Sequence, residues 1–154
     1  MRKLATFSIV VMLLLLTSAP AAASQSYTLT IFNPIDFSSG DQFPSPFTAS
    51  GPAVDEGLFC ASGTAYTTHT IMAGPPDIRR TNFQVTKLFV CQDGSGAIEI
   101  FVHAHVNNDS YENTGQWNVL SGTGDYARLK GRGSQVGEAT DVGVNDTYTG
   151  WVIK

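Results

Sequence analysis

Two histidines, His103 and His105, stand two residues apart in an extended run, with Glu99 upstream on the same parity. Residues at even spacing on a strand share a face. Both imidazoles and the Glu99 carboxylate would therefore point one way, and His69 offers a further ring nitrogen from elsewhere in the chain. Imidazole and carboxylate together suit a borderline divalent ion such as zinc or copper. Against that chemistry, Ile98, Ile100, Val102, Ala104 and Val106 fill the other parity without a polar interruption. An uninterrupted apolar row is the side a sheet turns to its core, which leaves the histidines toward solvent. A metal is not the expected outcome; His103, His105 and Glu99 are the residues that would hold one.

The remaining inventory narrows the chemistry further. No serine sits in a G-x-S-x-G elbow; Ser95 lies between two glycines and Ser134 follows one without a partner base in view. Asp55 and Glu56 are adjacent, so on an extended chain they point to opposite faces and make a poor acid/base pair. Gly122-Thr123-Gly124-Asp125-Tyr126-Ala127 matches G-x-G-x-x-A, the dinucleotide fingerprint. That motif needs a strand feeding a long helix whose first turn holds the pyrophosphate, and Gly131 and Gly133 end any helix here after about one turn. No cofactor is expected.

Cys60 and Cys91 are the two cysteines, each at the end of an apolar run, G-L-F-C and K-L-F-V-C. Residues 1–23 supply their context: Arg2 and Lys3 are positive, Leu4–Thr17 is apolar, and Ala21-Ala22-Ala23 offers a cleavage site before Ser24. The apolar stretch is short for a span, which needs about 20 residues, so it reads as a secretory signal. Residues 24–154 then form one exported domain, extracellular or periplasmic, in which the cysteines are expected as a disulfide. Asn108 and Asn145 begin N-x-S/T triplets in expected turns, acceptors for glycan if the host performs that reaction. With 9 basic and 13 acidic residues, a net charge of −4 and no basic cluster beyond Arg79-Arg80, neither nucleic acid nor, for the mature form, a membrane is an expected partner.

The elements that must position these groups are strands. Tyr27 to Ile31 alternates, and residues 33–52, crowded with Pro, Gly and Ser, read as a long loop. Leu58–Cys60 and Gly63–Met72 carry strand material, stopped at Ala73–Asp77. Phe83–Cys91 is a strand whose apolar parity slips between Val85 and Leu88, which predicts a bulge near Thr86 and Lys87 or burial of both faces. Asp93-Gly94-Ser95-Gly96 is a hairpin turn before the clean alternation of Ile98–Val106. Asn107–Asn113 is a polar turn, and strands follow at Trp117–Leu120, Gly131–Val136 and Asp146–Ile153. No segment after the leader keeps a 3.6-residue period over a helical length. An all-β domain of seven or eight short strands follows, a sandwich or a barrel; a single antiparallel barrel of about eight strands is preferred, since closure removes exposed edges.

The stretch W-N-V-L-S-G-T-G-D-Y-A-R-L-K-G-R-G, from Trp117 to Gly133, resembles the glycine signature of allene oxide cyclase-like and dirigent-like barrels of the calycin type. With C-A-S-G-T, V-C-Q-D-G-S-G and D-T-Y-T-G it is also similar to a group of small exported microbial proteins without an assigned activity. The resemblance covers about Gly57 to Val152. It implies an eight-stranded antiparallel barrel and transfers no catalytic residue, because the shared positions are turn glycines and anchoring aromatics. Gly122, Gly124, Gly131 and Gly133 are expected to form a corner that lets the sheet bend, pinned by Trp117, Tyr126 and Leu129. The first functional expectation is non-enzymatic binding of a small apolar molecule inside the barrel. The alternatives are a cyclase- or isomerase-type enzyme using the same cavity, or a barrel filled by its own side chains that acts as an interaction module.

Overall fold

The computed structural model describes residues 25–38, 44–72 and 79–154. The expected leader, part of the 33–52 segment and the expected strand stop at Ala73–Asp77 lie outside them. The elements are β1 (Tyr27–Asp36), β2 (Ser45–Ser50), a helical turn α1 (Pro52–Asp55), β3 (Ser62–Met72), β4 (Arg80–Cys91), β5 (Ala97–Asn107), β6 (Asn113–Gly122), a 3₁₀ turn (Gly124–Tyr126), β7 (Lys130–Ala139) and β8 (Gly143–Ile153). Each strand pairs antiparallel with the next and β8 pairs with β1, which closes an eight-stranded up-and-down barrel. Among the described residues no helix is long and apolar enough to cross a membrane.

Alternation decides what enters the barrel. On β5, Ile98, Ile100, Val102 and Ala104 are buried, while His103 on the other parity is exposed. Leu29 and Ile31 of β1, Trp117 of β6 and Tyr148 and Val152 of β8 complete the same interior. The end that carries α1 is filled. Ala53 of α1 is fully buried there. Phe47 meets Phe59 at 6.0 Å and Phe89 edge-on at 5.1 Å, and Phe89 meets Tyr148 edge-on at 5.8 Å. Edge-to-face pairs set the positive ring rim against the negative face and add about 0.5–1.5 kcal/mol each beyond their burial. The Cys60–Cys91 disulfide fastens the segment after α1 to the end of β4, closing a separation of 31 residues.

Gly122 ends β6, Gly124 begins the 3₁₀ turn, and Gly131 and Gly133 lie within β7. Gly124 sits at φ +57°, a left-handed conformation that costs a side chain with Cβ roughly 1–2 kcal/mol. Tyr126 and Leu129 beside it are buried. Gly133 of β7 stands opposite Gly150 of β8. A methyl on Gly150 would lie 2.7 Å from Cζ2 of Trp117, so the missing side chain leaves a slot for the indole. The Trp117 Nε1–H donates into that slot, to Ser134 O at 3.1 Å and Thr149 O at 3.2 Å.

Four expectations are corrected. Residues 33–52 are not one loop: Asn33–Asp36 extends β1, Ser45–Ser50 is β2 and Pro52–Asp55 is α1. Pro34 is tolerated because it lies beyond the last β1–β2 partner, Phe32↔Thr48, where no ladder N–H is needed on that side. Leu58–Cys60 is a turn whose Leu58 and Phe59 N–H groups return to Ala53 O, at 2.8 and 3.0 Å. The bulge near Thr86 belongs to the facing strand: β4 keeps an unbroken register with β5, whereas β3 slips at Thr68, between Thr67↔Lys87 and His69↔Thr86. Asn145 is not in a turn but within β8, paired to Pro34 and Glu138.

Candidate functional site

On β4 the inward row runs Phe83, Val85, Lys87, Phe89, Cys91. Leu88 and Val90, half-buried, face out. Lys87 thus enters the barrel because strand parity puts it there, flanked by apolar neighbours. On β8 the corresponding row is Val144, Asp146, Tyr148, and it carries a carboxylate inward by the same rule.

These two charges meet. Lys87 Nζ lies 3.5 Å from Asp146 Oδ2, with side chains 5% and 9% exposed. Nζ also donates to Asn33 Oδ1 at 2.8 Å, and Asn33 in turn donates through Nδ2 to Ser45 Oγ (2.7 Å) and Pro46 O (2.9 Å). The Tyr148 hydroxyl donates to Asp146 Oδ2 at 2.9 Å, and Gln135 Nε2 donates to Asp146 Oδ1 at 2.8 Å and to Asn113 Oδ1. The network ties β1, β2, β4, β6, β7 and β8 across the barrel. Asn33, at the end of the β1–β2 ladder, bridges the two strands with its side chain.

Burial governs the titration of Lys87 and Tyr148. Removal from water pushes the Lys87 ammonium down from its usual range, and the Asp146 carboxylate opposes that only in part. Burial and the same carboxylate push the Tyr148 phenol well up, so it stays protonated. Gln135 Oε1 is buried without a hydrogen-bond partner. The amide is oriented by the Asp146 carboxylate, which needs the NH₂ end as its donor. Gly115 makes room for it: a methyl there would lie 3.0 Å from Oε1 and 2.7 Å from His103 O.

Toward the end away from α1 the inward side chains become small. Val85, Val102, Ala104, Val106, Val144 and Thr70 line, with Phe83, Ile35 and the polar Lys87, Asp146 and Gln135, an open pocket of about 270 Å³. That is near the lower bound of ligand pockets, roughly 300–1,000 Å³. A shallower groove shares its Phe37, Phe83, Val106, Asn113 and Val144 and continues over Tyr111 and Val142. β1 and β3 end, and β2 and β4 begin, at this end of the barrel.

The residues singled out in the sequence stand elsewhere. His103 and His105 have ring centroids 5.0 Å apart on the outer face; His105 Nδ1 bonds Asn82 Oδ1 at 2.5 Å, and Glu99 Oε2 accepts from Ser121 Oγ at 3.2 Å. None of the three lines the cavity. Among the described residues no group of three metal-ligating side chains forms. Sequence reasoning missed Lys87, Asp146, Gln135, Asn33 and Tyr148 as a site. The signal was present as parity, since Lys87 keeps step with Phe83, Val85 and Phe89, and Asp146 with Tyr148 and Val152.

Comparison with protein-family models, with curated proteins and with solved structures finds no match for this chain. The resemblance to allene oxide cyclase-like and dirigent-like barrels rests on the motifs quoted above.

Proposed function

We propose that this protein is an exported barrel that binds one small, largely apolar molecule in the half of the barrel away from α1. The polar end of that molecule lies over the floor of Lys87, Asp146 and Gln135. The observation that carries the reading is the change of filling along one interior: a cluster of aromatic rings packs the α1 half, while the other half, lined chiefly by Val, Ala and Thr with Phe83 and Phe37, leaves an open pocket of about 270 Å³. The disulfide supports export, since such bonds persist in oxidising compartments.

Catalysis in the same cavity is the second reading, favoured by the acid and base groups at its floor. Lys87 and Asp146 line the pocket as a buried pair, Tyr148 behind them donates to the carboxylate, and burial shifts the titration of Lys87 and Tyr148, the pattern in which proton-transfer groups occur. A side-chain-filled interaction module draws less support, because the filling stops halfway.

Fluorescence titration with the apolar probe N-phenyl-1-naphthylamine tests the binding reading. Wild-type protein should bind it saturably at one site, and Ala104→Phe, which places a ring in the cavity, should bind about tenfold more weakly while melting like wild type. Equal binding by both proteins, or none by the wild type, would contradict it.

A further inference from the structure

Lys87 makes two hydrogen bonds, to Asn33 Oδ1 at 2.8 Å and to Asp146 Oδ2 at 3.5 Å. An ammonium has three N–H donors, whereas a neutral amine has two and a lone pair. Proton transfer from Lys87 to Asp146, its ion-pair partner, gives the neutral amine, whose lone pair then stands at the lining of the cavity. Asp146 does not depend on the lysine for its donors, because Tyr148 OH and Gln135 Nε2 supply one to each oxygen. The titratable groups facing Lys87 are Asp146 and Tyr148 from β8, with Asp36 of β1 also lining the cavity. The remaining network partners, Asn33, Ser45, Asn113 and Gln135, are neutral. Desolvation of a lysine in an apolar pocket is one of the ways an amine becomes a nucleophile, and the walls beside Lys87 are Val85, Val102 and Ala104.

We propose that Lys87 is a nucleophilic amine that captures a small apolar aldehyde or ketone in the cavity as a Schiff base. This rests on the ligand-binding reading and adds the chemical class of the ligand. The Nζ lone pair attacks the carbonyl carbon, a C–N bond forms, and the C=O π pair moves to oxygen. A proton passes from nitrogen to that oxygen through Asp146, giving a carbinolamine. Loss of the hydroxyl with a proton, as one water, leaves the C=N bond. Hydrolysis by the reverse path regenerates both partners, so no oxidant or reductant is needed.

Reductive trapping tests the proposal on the disulfide-intact protein. Benzaldehyde and sodium cyanoborohydride are added, and benzylated lysines are located by peptide mapping. Lys87 should be modified about tenfold faster than the exposed Lys130 and Lys154, although burial alone would make it the slowest. Benzyl alcohol, which has the ring but no carbonyl, should slow modification of Lys87 and leave the others unchanged. Lys87→Arg, folded by circular dichroism, should take no label beyond the exposed amines. Labelling of Lys87 no faster than of Lys130 and Lys154, with benzyl alcohol displacing N-phenyl-1-naphthylamine, would overturn the Schiff base and leave the binding site standing. Neither displacement nor labelling of Lys87 would overturn both.

Discussion

Lys87 and Asp146 are unequal partners. Asp146 receives hydrogen bonds from Tyr148 and Gln135 as well as from Lys87, so removing the lysine leaves the carboxylate with two donors. Removing the carboxylate instead takes the acceptor from the Tyr148 hydroxyl and the counter-charge from Lys87, which keeps its bond to Asn33 Oδ1. Breaking one side of a buried ion pair costs about 3–5 kcal/mol, chiefly through the charge left behind. Asp146→Leu should cost about that much, Lys87→Met clearly less, and the double variant less than the sum of the two, by urea denaturation. Equal single costs that simply add would contradict the network. These residues were legible only through parity. Lysine and aspartate are almost never fully buried, so a reading that seeks the core through apolar residues alone steps over Lys87 and meets Leu88 and Val90 as a slip of parity, to be explained by a bulge or by burial of both faces. The His-x-His pair attracted attention by residue type, yet Ile98, Ile100 and Val102 on the other parity already placed it outside.

Elements were legible where a single face carried one chemistry. β5 alternates without exception, and Asp93–Gly96 fixes its pairing with β4 through glycines at φ +78° and +143°. Residues 33–52 were misread because their prolines and glycines suppress strand propensity, while what makes β2 a strand is long-range: Phe47 buried against Phe59 and Phe89, and ladder partners on β3. Gly133 belongs to this scale as well. A methyl there would lie 1.9 Å from Thr149 O and 2.6 Å from the Gly150 Cα, both backbone atoms of the neighbouring strand. β7 and β8 would have to separate to admit it, and the Trp117 bond to Thr149 O would move with them. Overpacking of this kind costs typically 1–3 kcal/mol and occasionally more. Gly133→Ala should therefore lose more than about 2 kcal/mol in urea denaturation; an unchanged midpoint would show that the corner does not depend on close approach of the two backbones.

At the scale of the molecule, strand count and turn spacing made an all-β sandwich or barrel legible, because alternation and glycine-rich turns act over short distances, and edge closure with the resemblance favoured the barrel. The cavity was not legible, since it depends on which inward side chains meet across the barrel. Val85 of β4, Ala104 of β5 and Val144 of β8 come together only when the sheet closes. The filled half, held by the ring cluster and the disulfide, is rigid support for the other, which leaves the cavity walls as the part that responds to a guest. Methyl-labelled nuclear magnetic resonance with benzyl alcohol as the guest reads this directly. Saturable shifts should be confined to Val85, Val102, Ala104, Val106 and Val144, with Leu29, Ile31 and Ile98 of the filled half unmoved. Absence of shifts, or shifts centred on the exposed Leu120, Val136 and Val142 instead, would contradict a binding site inside the barrel.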